Sequence, residues 1–286
     1  MKFITESTKT TITARALASG GLDGQTVTVK GAVHALRKLG GIDFMTLRLR
    51  DGALQCVCGP EGLPEGLCEE CTVSVTGAVR TEERAPGGRE LTVESIDVLS
   101  RPAEAMPVPI DKWKLNLKLD TELGLRPVVL RNLRKRSVFK IQEGLSRAFR
   151  EYLTQEGFTE IHTPKIVHAG AEEGSNIFRL DYFGRKAFLG QSPQFYKPTM
   201  VGVFERVFEV APVFRAEKHS TQRHLNEYTS LDLEMGYIDS FADLMAVETG
   251  FLRYAMDLLR REYADDLKRL DVTLPQVEQI PAVPFD

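Results

Sequence analysis

Short runs of alternating apolar and polar residues fill the first third of the chain. They cover Thr26–Val33, Phe44–Arg50, Ala53–Val57, Thr72–Val79 and Leu91–Leu99. Breaks such as Gly40-Gly41, Asp51-Gly52 and Ala85-Pro86-Gly87-Gly88 separate them. Strand side chains alternate between two faces, so each run predicts a strand with one apolar face. Five short strands at this spacing predict a small barrel, with an OB-fold as the first choice and other five-stranded barrels open. Past residue 136 the period changes. Val138, Ile141, Leu145, Phe149, Tyr152 and Leu153 follow helical spacing, and Gly157 marks a stop. FTEIHTPKIV predicts a short strand ending at Pro164. In AFLGQSPQFYKPTM a strand runs into Gln191, Ser192 caps a helix, and Pro193 takes its first position. Gln194 and Lys197 then share one helix face. A Lys near a helix start opposes the macrodipole unless an anion offsets it. Ser240-x-x-Asp243 opens a long amphipathic helix reaching about Tyr263. The fold class is α+β: a barrel over residues 1–105, a Pro-punctuated, basic hinge over 106–136, and a sheet-and-helix domain over 137–286.

The stretch Phe214–Met235, FRAEKHSTQRHLNEYTSLDLEM, predicts the centre of the second domain. It reads as strand, polar loop, strand. Leu231, Leu233 and Met235 point one way; Ser230, Asp232 and Glu234 point the other. The strand before the loop places Phe208, Val210 and Phe214 opposite Arg215 and Glu217. Lys218, His219, Arg223 and His224 add cationic groups beside carboxylates. Such a set suits a ligand with phosphates at one end and an ammonium at the other. A solvated hairpin face is the plainer alternative.

The 286 residues allow two domains, and 42% hydrophobic with 27% charged residues describe an ordinary globular chain. No run approaches twenty apolar residues and MKFITESTKT has no signal-peptide core, so no membrane association and a cytoplasmic location are expected. Net charge is −3, and residues 1–103 carry 12 Lys+Arg against 13 Asp+Glu. Any RNA binding must therefore rest on local patches and stacking on unpaired bases. Arg131, Arg134, Lys135 and Arg136 are either such a patch or a solvated face. Cys56, Cys58, Cys68 and Cys71 have a spacing open to zinc, but core packing of small thiols is the expected reading, with no metal site.

FRAEKHSTQRHLNEYTSLDLE resembles motif 2 of the class II aminoacyl-tRNA synthetases, aspartyl/asparaginyl branch, and the likeness runs from about residue 14 onward. VKGAVHALRKLGGIDFMTLRLRDGALQCV resembles the anticodon-binding OB domain of that branch. The helix with FTEIHTPKIV resembles motif 1, which builds the homodimer interface, although a core helix has the same pattern. HAGAEEGSNIF resembles the loop that closes over substrate, and QSPQFYK resembles the branch's amino-acid signature. The sequence most resembles the archaeal type of aspartyl enzyme. That implies an OB-fold barrel followed by an antiparallel-sheet catalytic domain, ATP with Mg²⁺, adenylation of L-aspartate, and transfer to tRNA(Asp).

The resemblance implies roles residue by residue. Arg215 bridges the α-phosphate and substrate carboxylate. Glu217 meets the adenine amino group or the tRNA end, Arg223 and His224 take the γ-phosphate side, and Tyr228 lies by the adenine where many relatives have Phe. Ser192, Gln194, Asp232 and Glu172 hold the ammonium, and Lys197 reads the side-chain carboxylate. His219 to Gln222 face the acceptor stem. In the barrel, Phe44 stacks on the middle anticodon base unless it is core. Arg37, Arg48, Gln55 and Glu90 contact the anticodon loop, although Leu49 replaces the Asp usual after Arg48. His34 and Pro86 look like enzymes that also charge tRNA(Asn), which implies a partner amidotransferase. The third motif and the usual Mg²⁺ ligands would lie beyond residue 286, so the catalytic domain is expected to be incomplete. An asparaginyl enzyme, a tRNA-binding fragment, and a tRNA-independent amino-acid ligase are the alternatives.

Overall fold

The computed structural model describes residues 12–170, 177–219, 221, 224–278 and 280–283. They form two compact units, Met1–Arg136 and Ser137–Asp286.

The first unit is a closed five-stranded barrel. Its strands are β1 (Thr26–Leu39), β2 (Ile42–Arg48), β3 (Ala53–Cys58), β4 (Thr72–Thr81) and β5 (Arg89–Ser100), in the order β1-β2-β3-β5-β4. All neighbours are antiparallel except β3 with β5. This is the OB-fold that the alternating runs predict. One face of each strand fills the barrel: Val29, Val33, Met45, Leu47, Val75 and Leu91 are at most 1% exposed. β1 runs well past the predicted Val33 because its polar end pairs with β2 as far as Leu39 with Ile42. A bulge interrupts that pairing between Val33 and Ala35, so His34 lies outside the register. At Gly77 the strands come so close that a Cβ would meet Thr92 O at 2.2 Å, so only glycine fits. A short helix, α1 (Ala14–Ala18), is capped by Thr13, whose Oγ1 accepts from Ala16 N–H.

Residues 106–136, expected as a hinge, fall within the unit that holds the barrel. They hold α2 (Leu119–Gly124) and α3 (Arg126–Val129) and bury a small core of Val108, Ile110 and Val129. Asn132 fastens the stretch by donating Nδ2 to Ile110 O at 2.8 Å and Lys112 O at 2.7 Å. The basic residues open to either an RNA patch or a solvated face have partners within the fold. Arg131 pairs with Glu70 at 2.6 Å, Lys135 with Glu122 at 2.7 Å, and Arg136 donates to Leu49 O at 2.9 Å. Arg134 stacks on Trp113.

The second unit takes up α4 (Leu133–Gln155) from Ser137 onward, then β6 (Thr159–Glu160), β7 (Ile166–Val167), β8 (Arg179–Tyr182) and β9 (Arg185–Leu189). It continues with α5 (Tyr196–Phe204), β10 (Arg206–Phe214), β11 (Glu227–Met235), α6 (Phe241–Glu262) and α7 (Ala264–Leu270). One sheet has the order β11-β10-β6 and the other β7-β9-β8. β10 and β11 are antiparallel, but β6 lies parallel to β10, so the sheet is mixed where an antiparallel one was expected. FTEIHTPKIV is split: β6 joins one sheet and β7 the other, because Pro164 lies between them and removes a ladder donor. The capping box of Ser240 and Asp243 opens α6 as its spacing predicts.

α4 and α6 pack on the apolar face of the β10–β11 hairpin. Phe149 meets Phe208 and Phe251 edge-on, with centroids 5.7 and 5.0 Å apart. Val210, Leu233 and Met235 join that core, whereas Leu231 is 37% exposed. Val138, expected on the buried stripe of α4, is exposed. The stripe runs instead through Ser137, Gly144, Ala148, Phe149 and Leu153. No described helix is long and apolar enough to cross a membrane.

Candidate active site and nucleic-acid face

In the hairpin, Glu209 lies opposite Asp232, Val207 opposite Glu234, Ala211 opposite Ser230 and Val213 opposite Tyr228. Paired residues share a face. This face therefore carries Tyr228, Ser230, Asp232 and Glu234 in a row, opposite the side that packs on the helices. Arg215 extends the row past the strand end, where its N–H donates to Asn226 O at 2.9 Å.

Lys197 of α5 completes the charged face. It is only 6% exposed. Its Nζ donates to Asp232 Oδ1, pairs with Glu234 Oε2 at 3.1 Å, and reaches Leu233 O at 3.3 Å. Ser230 Oγ donates to the other Asp232 oxygen at 3.3 Å. An ammonium held between two carboxylates offsets the cost of burying each group. The helix that delivers Lys197 starts at Tyr196 and not at Pro193. Ser192 still serves the entry, since its Oγ accepts from Gln194 N–H at 3.2 Å, and Pro193 O accepts from the N–H groups of Tyr196 and Lys197 at 2.9 Å. Gln194 is exposed and Ser192 half-buried, and among the described residues of the expected amino-acid set Lys197 and Asp232 are the pair that touch.

At the loop, Glu217 and His224 come together at 3.7 Å, and Thr221 Oγ1 lies 2.6 Å from His224 Nδ1. The His219 and His224 rings are 5.7 Å apart. Asn226 closes the loop base: with its amide nitrogen facing the carbonyls, it donates to Glu217 O at 3.0 Å and Arg215 O at 3.1 Å. Glu172, expected on the ammonium, and Arg223, expected on the γ-phosphate, lie outside the described residues.

Two groups on or beside this face escaped sequence reasoning. Glu209 is 2% exposed and accepts from Thr163 N–H at 2.6 Å, Thr163 Oγ1 at 2.9 Å and Lys165 Nζ at 2.7 Å. Its signal was a carboxylate inside the apolar run VFEVAPVF, which a buried strand tolerates only with partners supplied. Period two puts Glu234 on the polar face, two residues from Asp232, but marks no partner for it.

In the barrel the pairing builds two rows on the outer surface. Arg37, Phe44, Val57 and Thr92 form one; Ala35, Thr46, Gln55, Glu90 and Arg80 form the other. Arg37 is exposed and Phe44 half-buried, so Phe44 is not one of the barrel's buried core residues. Glu90 is 3% exposed, held by Gln55 Nε2 at 2.9 Å and Arg80 Nη2 at 2.6 Å, so it orients Gln55 more than it faces solvent. Arg48 is gripped by both oxygens of Glu70. Burial pushes the Glu70 carboxyl up, but Arg48 and Arg131 outweigh it and hold it below the usual range. Pro86 is exposed in a short turn, Pro86–Gly88. His34 departs from the rest. It is 5% exposed, and its Nδ1 has no hydrogen-bond partner among the described residues. Burial, then Arg48, lowers its pKa. It cannot meet a base directly as placed.

Comparison with known proteins bears on both units. Residues 27–99 match the OB-fold nucleic acid binding domain. Residues 118–284 match tRNA synthetases class II (D, K and N). The chain is 50% identical over 255 residues to the aspartate–tRNA(Asp/Asn) ligase of Deinococcus radiodurans, covering 89% of this chain and 58% of that protein. It is 46% identical over 256 residues to the enzyme of the same name from Thermus thermophilus, covering 90% and 60%. The asparaginyl-tRNA synthetase from Pyrococcus horikoshii, solved with asparaginyl-adenylate, superposes with a TM-score of 0.79 at 30% identity, covering 91% of this chain and 60% of that one. The chain thus spans about three fifths of the length of the curated relatives it matches. With well over half of its residues inside the match to the second unit, the chain belongs to the class II (D, K and N) tRNA synthetase family.

Proposed function

We propose that this chain carries the anticodon-reading and amino-acid-activating parts of an enzyme that joins L-aspartate to tRNA. The supporting observation is Lys197, a buried ammonium set between Asp232 and Glu234 on the hairpin face. An arriving aspartate supplies two charges to this arrangement. Its ammonium replaces Lys197 at Asp232, and its side-chain carboxylate takes Lys197. Every buried charge keeps a partner, which is the condition for a tight and selective site.

In the first step an α-carboxylate oxygen attacks the α-phosphorus of ATP. The bond to the bridging oxygen breaks, and pyrophosphate leaves with its electron pair. In the second step the terminal ribose hydroxyl of tRNA attacks the carbonyl carbon, and AMP leaves. Arg215, at the hairpin end, neutralises the charge that builds on the α-phosphate. His224 and Glu217 lie further along the loop, toward the outer phosphates and the adenine, with Tyr228 beside the ring. The work is positioning and charge stabilisation, with no covalent enzyme intermediate. The cationic donors suit ATP. Mg²⁺ supplies charge neutralisation on the phosphates, but Asp232 and Glu234 are both taken by Lys197, and no trio of His, Cys, Asp or Glu gathers among the described residues. The described chain does not fit a magnesium site of its own, and no step here runs through one.

On the barrel, Phe44 stacks on an anticodon base, while Arg37 and the Glu90-oriented Gln55 flank it. Pro86 stiffens the nearby turn, and His34 acts from below the surface. The relatives named for tRNA(Asp/Asn) support charging of both tRNAs, with an amidotransferase converting the product on tRNA(Asn). Val138 and Phe139, exposed on the helix that resembles motif 1, support a homodimer. A cytoplasmic location follows from the substrates.

Glu234 favours a second reading. An asparagine would leave Lys197 without a new anion, but Glu234 at 3.1 Å could keep it paired. ATP–pyrophosphate exchange, run with aspartate and with asparagine on the protein containing this chain, decides between them. Exchange with asparagine alone overturns the aspartate reading.

A further inference from the structure

The chain has four cysteines. Cys56 and Cys58 are buried in β3, at 0% and 3% exposure. Burial pushes the Cys58 thiol up to about 11 and Cys56 higher still, so both stay protonated and inert near neutral pH.

Cys68 and Cys71 are different. Cys68 is exposed, and Cys71 is fully buried beneath it. Their Sγ atoms lie 3.5 Å apart, and Cys68 N–H donates to Cys71 Sγ at 3.5 Å. The two residues are the ends of a turn closed by Cys71 N–H to Cys68 O at 3.2 Å. A closed turn of this kind holds its end Cα atoms within about 7 Å, close to the span that a disulfide bridges. Cys68 also borders an open cleft of about 590 Å³ lined by Glu69, Pro102, Met106, Pro107 and Val108. A small reagent can reach it.

Two residues lie inside that turn, Glu69 and Glu70, and it is Glu70 that holds the arginines. Its φ is +66°, a left-handed conformation that a glutamate adopts only when held there. Its N–H donates to Val33 O at 2.7 Å, and its carboxylate grips Arg48 and Arg131. The thiol pair therefore sits at the root of the grip on Arg48.

We propose that Cys68 and Cys71 form a dithiol–disulfide site, closed by a hydroperoxide, and that Glu70 relays the closure to Arg48. The Cys68 thiolate attacks a peroxide oxygen, the O–O bond breaks, and hydroxide leaves to take up a proton. Cys71 sulfur then attacks the sulfenic sulfur, and water departs as the S–O bond breaks. Two thiols are oxidised to one disulfide, and one hydrogen peroxide is reduced to two waters. Closure draws the sulfurs from 3.5 Å to about 2.05 Å. The turn tightens, Glu70 loses its hold, and the Arg48 guanidinium is released for an RNA phosphate. Burial and Cys71 push the Cys68 thiol up while Arg101 pulls it down, so the first attack is slow and needs excess peroxide. The relay to RNA rests on Arg48 being an anticodon-loop contact, as the family resemblance implies; the disulfide does not.

The test treats the full chain with excess hydrogen peroxide and then digests it after glutamates. Cleavage at Glu69 and Glu70 separates Cys68 from Cys71, while Cys56 and Cys58 stay together on a piece ending at Glu61. A cross-link joining the Cys68 and Cys71 pieces, absent from Cys68→Ser, is expected. Over-oxidised Cys68 with no cross-link, or earlier oxidation of Cys56 or Cys58, overturns the site. Binding of an anticodon hairpin is measured on the same samples across a salt series. Oxidised wild type is expected to bind several-fold tighter, with a salt slope steeper by about 0.7 for one freed phosphate contact. Unchanged affinity with the cross-link present overturns the relay. No hairpin binding by the reduced protein counts against the RNA-binding reading alone, because the cross-link is read without RNA.

Discussion

The barrel's outer face and the hairpin's polar face are built from the same device, antiparallel strands with one side turned away from a core. They spend their charges differently. On the barrel the polar groups are partnered near the surface: Gln55 with Glu90 and Arg80, Arg48 with Glu70, leaving Arg37 and part of Phe44 open. On the hairpin the charges are sunk. Lys197 is 6% and Glu209 2% exposed, and each is balanced by groups from elsewhere in the fold. A surface that meets a polymer gains from flat, accessible rings and few buried charges. A pocket for a small zwitterion gains from charges that water cannot reach, since their interactions strengthen as the dielectric falls.

The sharpest way to break this contrast is Lys197→Leu. It leaves Asp232 and Glu234 facing each other without a cation. Aspartate-dependent pyrophosphate exchange should vanish, and the second unit should lose on the order of 3–5 kcal/mol, read as a lower urea midpoint. Normal exchange in this variant would remove Lys197 from the site. Next comes Glu209→Gln. It strips Lys165 of its carboxylate and one acceptor from Thr163, and should cost roughly 2 kcal/mol, moving stability first and activity only through Asp232 opposite it. A variant as stable as wild type would show that this cluster is relaxed by water.

The barrel should behave in the opposite sense. Phe44→Ala should weaken hairpin binding by about 1–3 kcal/mol, the usual worth of one stacked base. Thermal stability should barely change, because the ring is only half-buried. Equal loss of fold and binding would make Phe44 a core residue after all. The smallest effect is a pH dependence at His34. Burial and Arg48 lower its pKa from 6.5, with Arg136 adding to them and Asp111 and Glu70 opposing. The unfolded chain therefore binds the proton more readily. Stability from this site is complete above pH 6.5 and is lost as pH falls through the lowered value in the fold. His34→Phe should flatten that part of the urea-midpoint profile; an unchanged slope would place the titration elsewhere.

What the amino-acid order determined by itself is local. Period two along Thr26–Val33, Phe44–Arg50 and Glu227–Met235 marked where strands lie and which side is apolar, though not where β1 and β2 end. The Ser240–Asp243 spacing decided where α6 begins. Each depends only on residues two to four positions apart, so the chain carries it in plain view. The tertiary structure alone decided which charges meet. Lys197 finds Asp232 thirty-five residues away, Glu209 finds Lys165 forty-four residues back, and Glu70 finds Arg131 sixty-one residues on. It also decided that a single bulge in β1 takes His34 out of the register of its strand. It decided, too, that residues 106–136 bury a small core of their own. Burial and ion pairing are set by what folds over a residue, and no periodicity records a neighbour that arrives from another element.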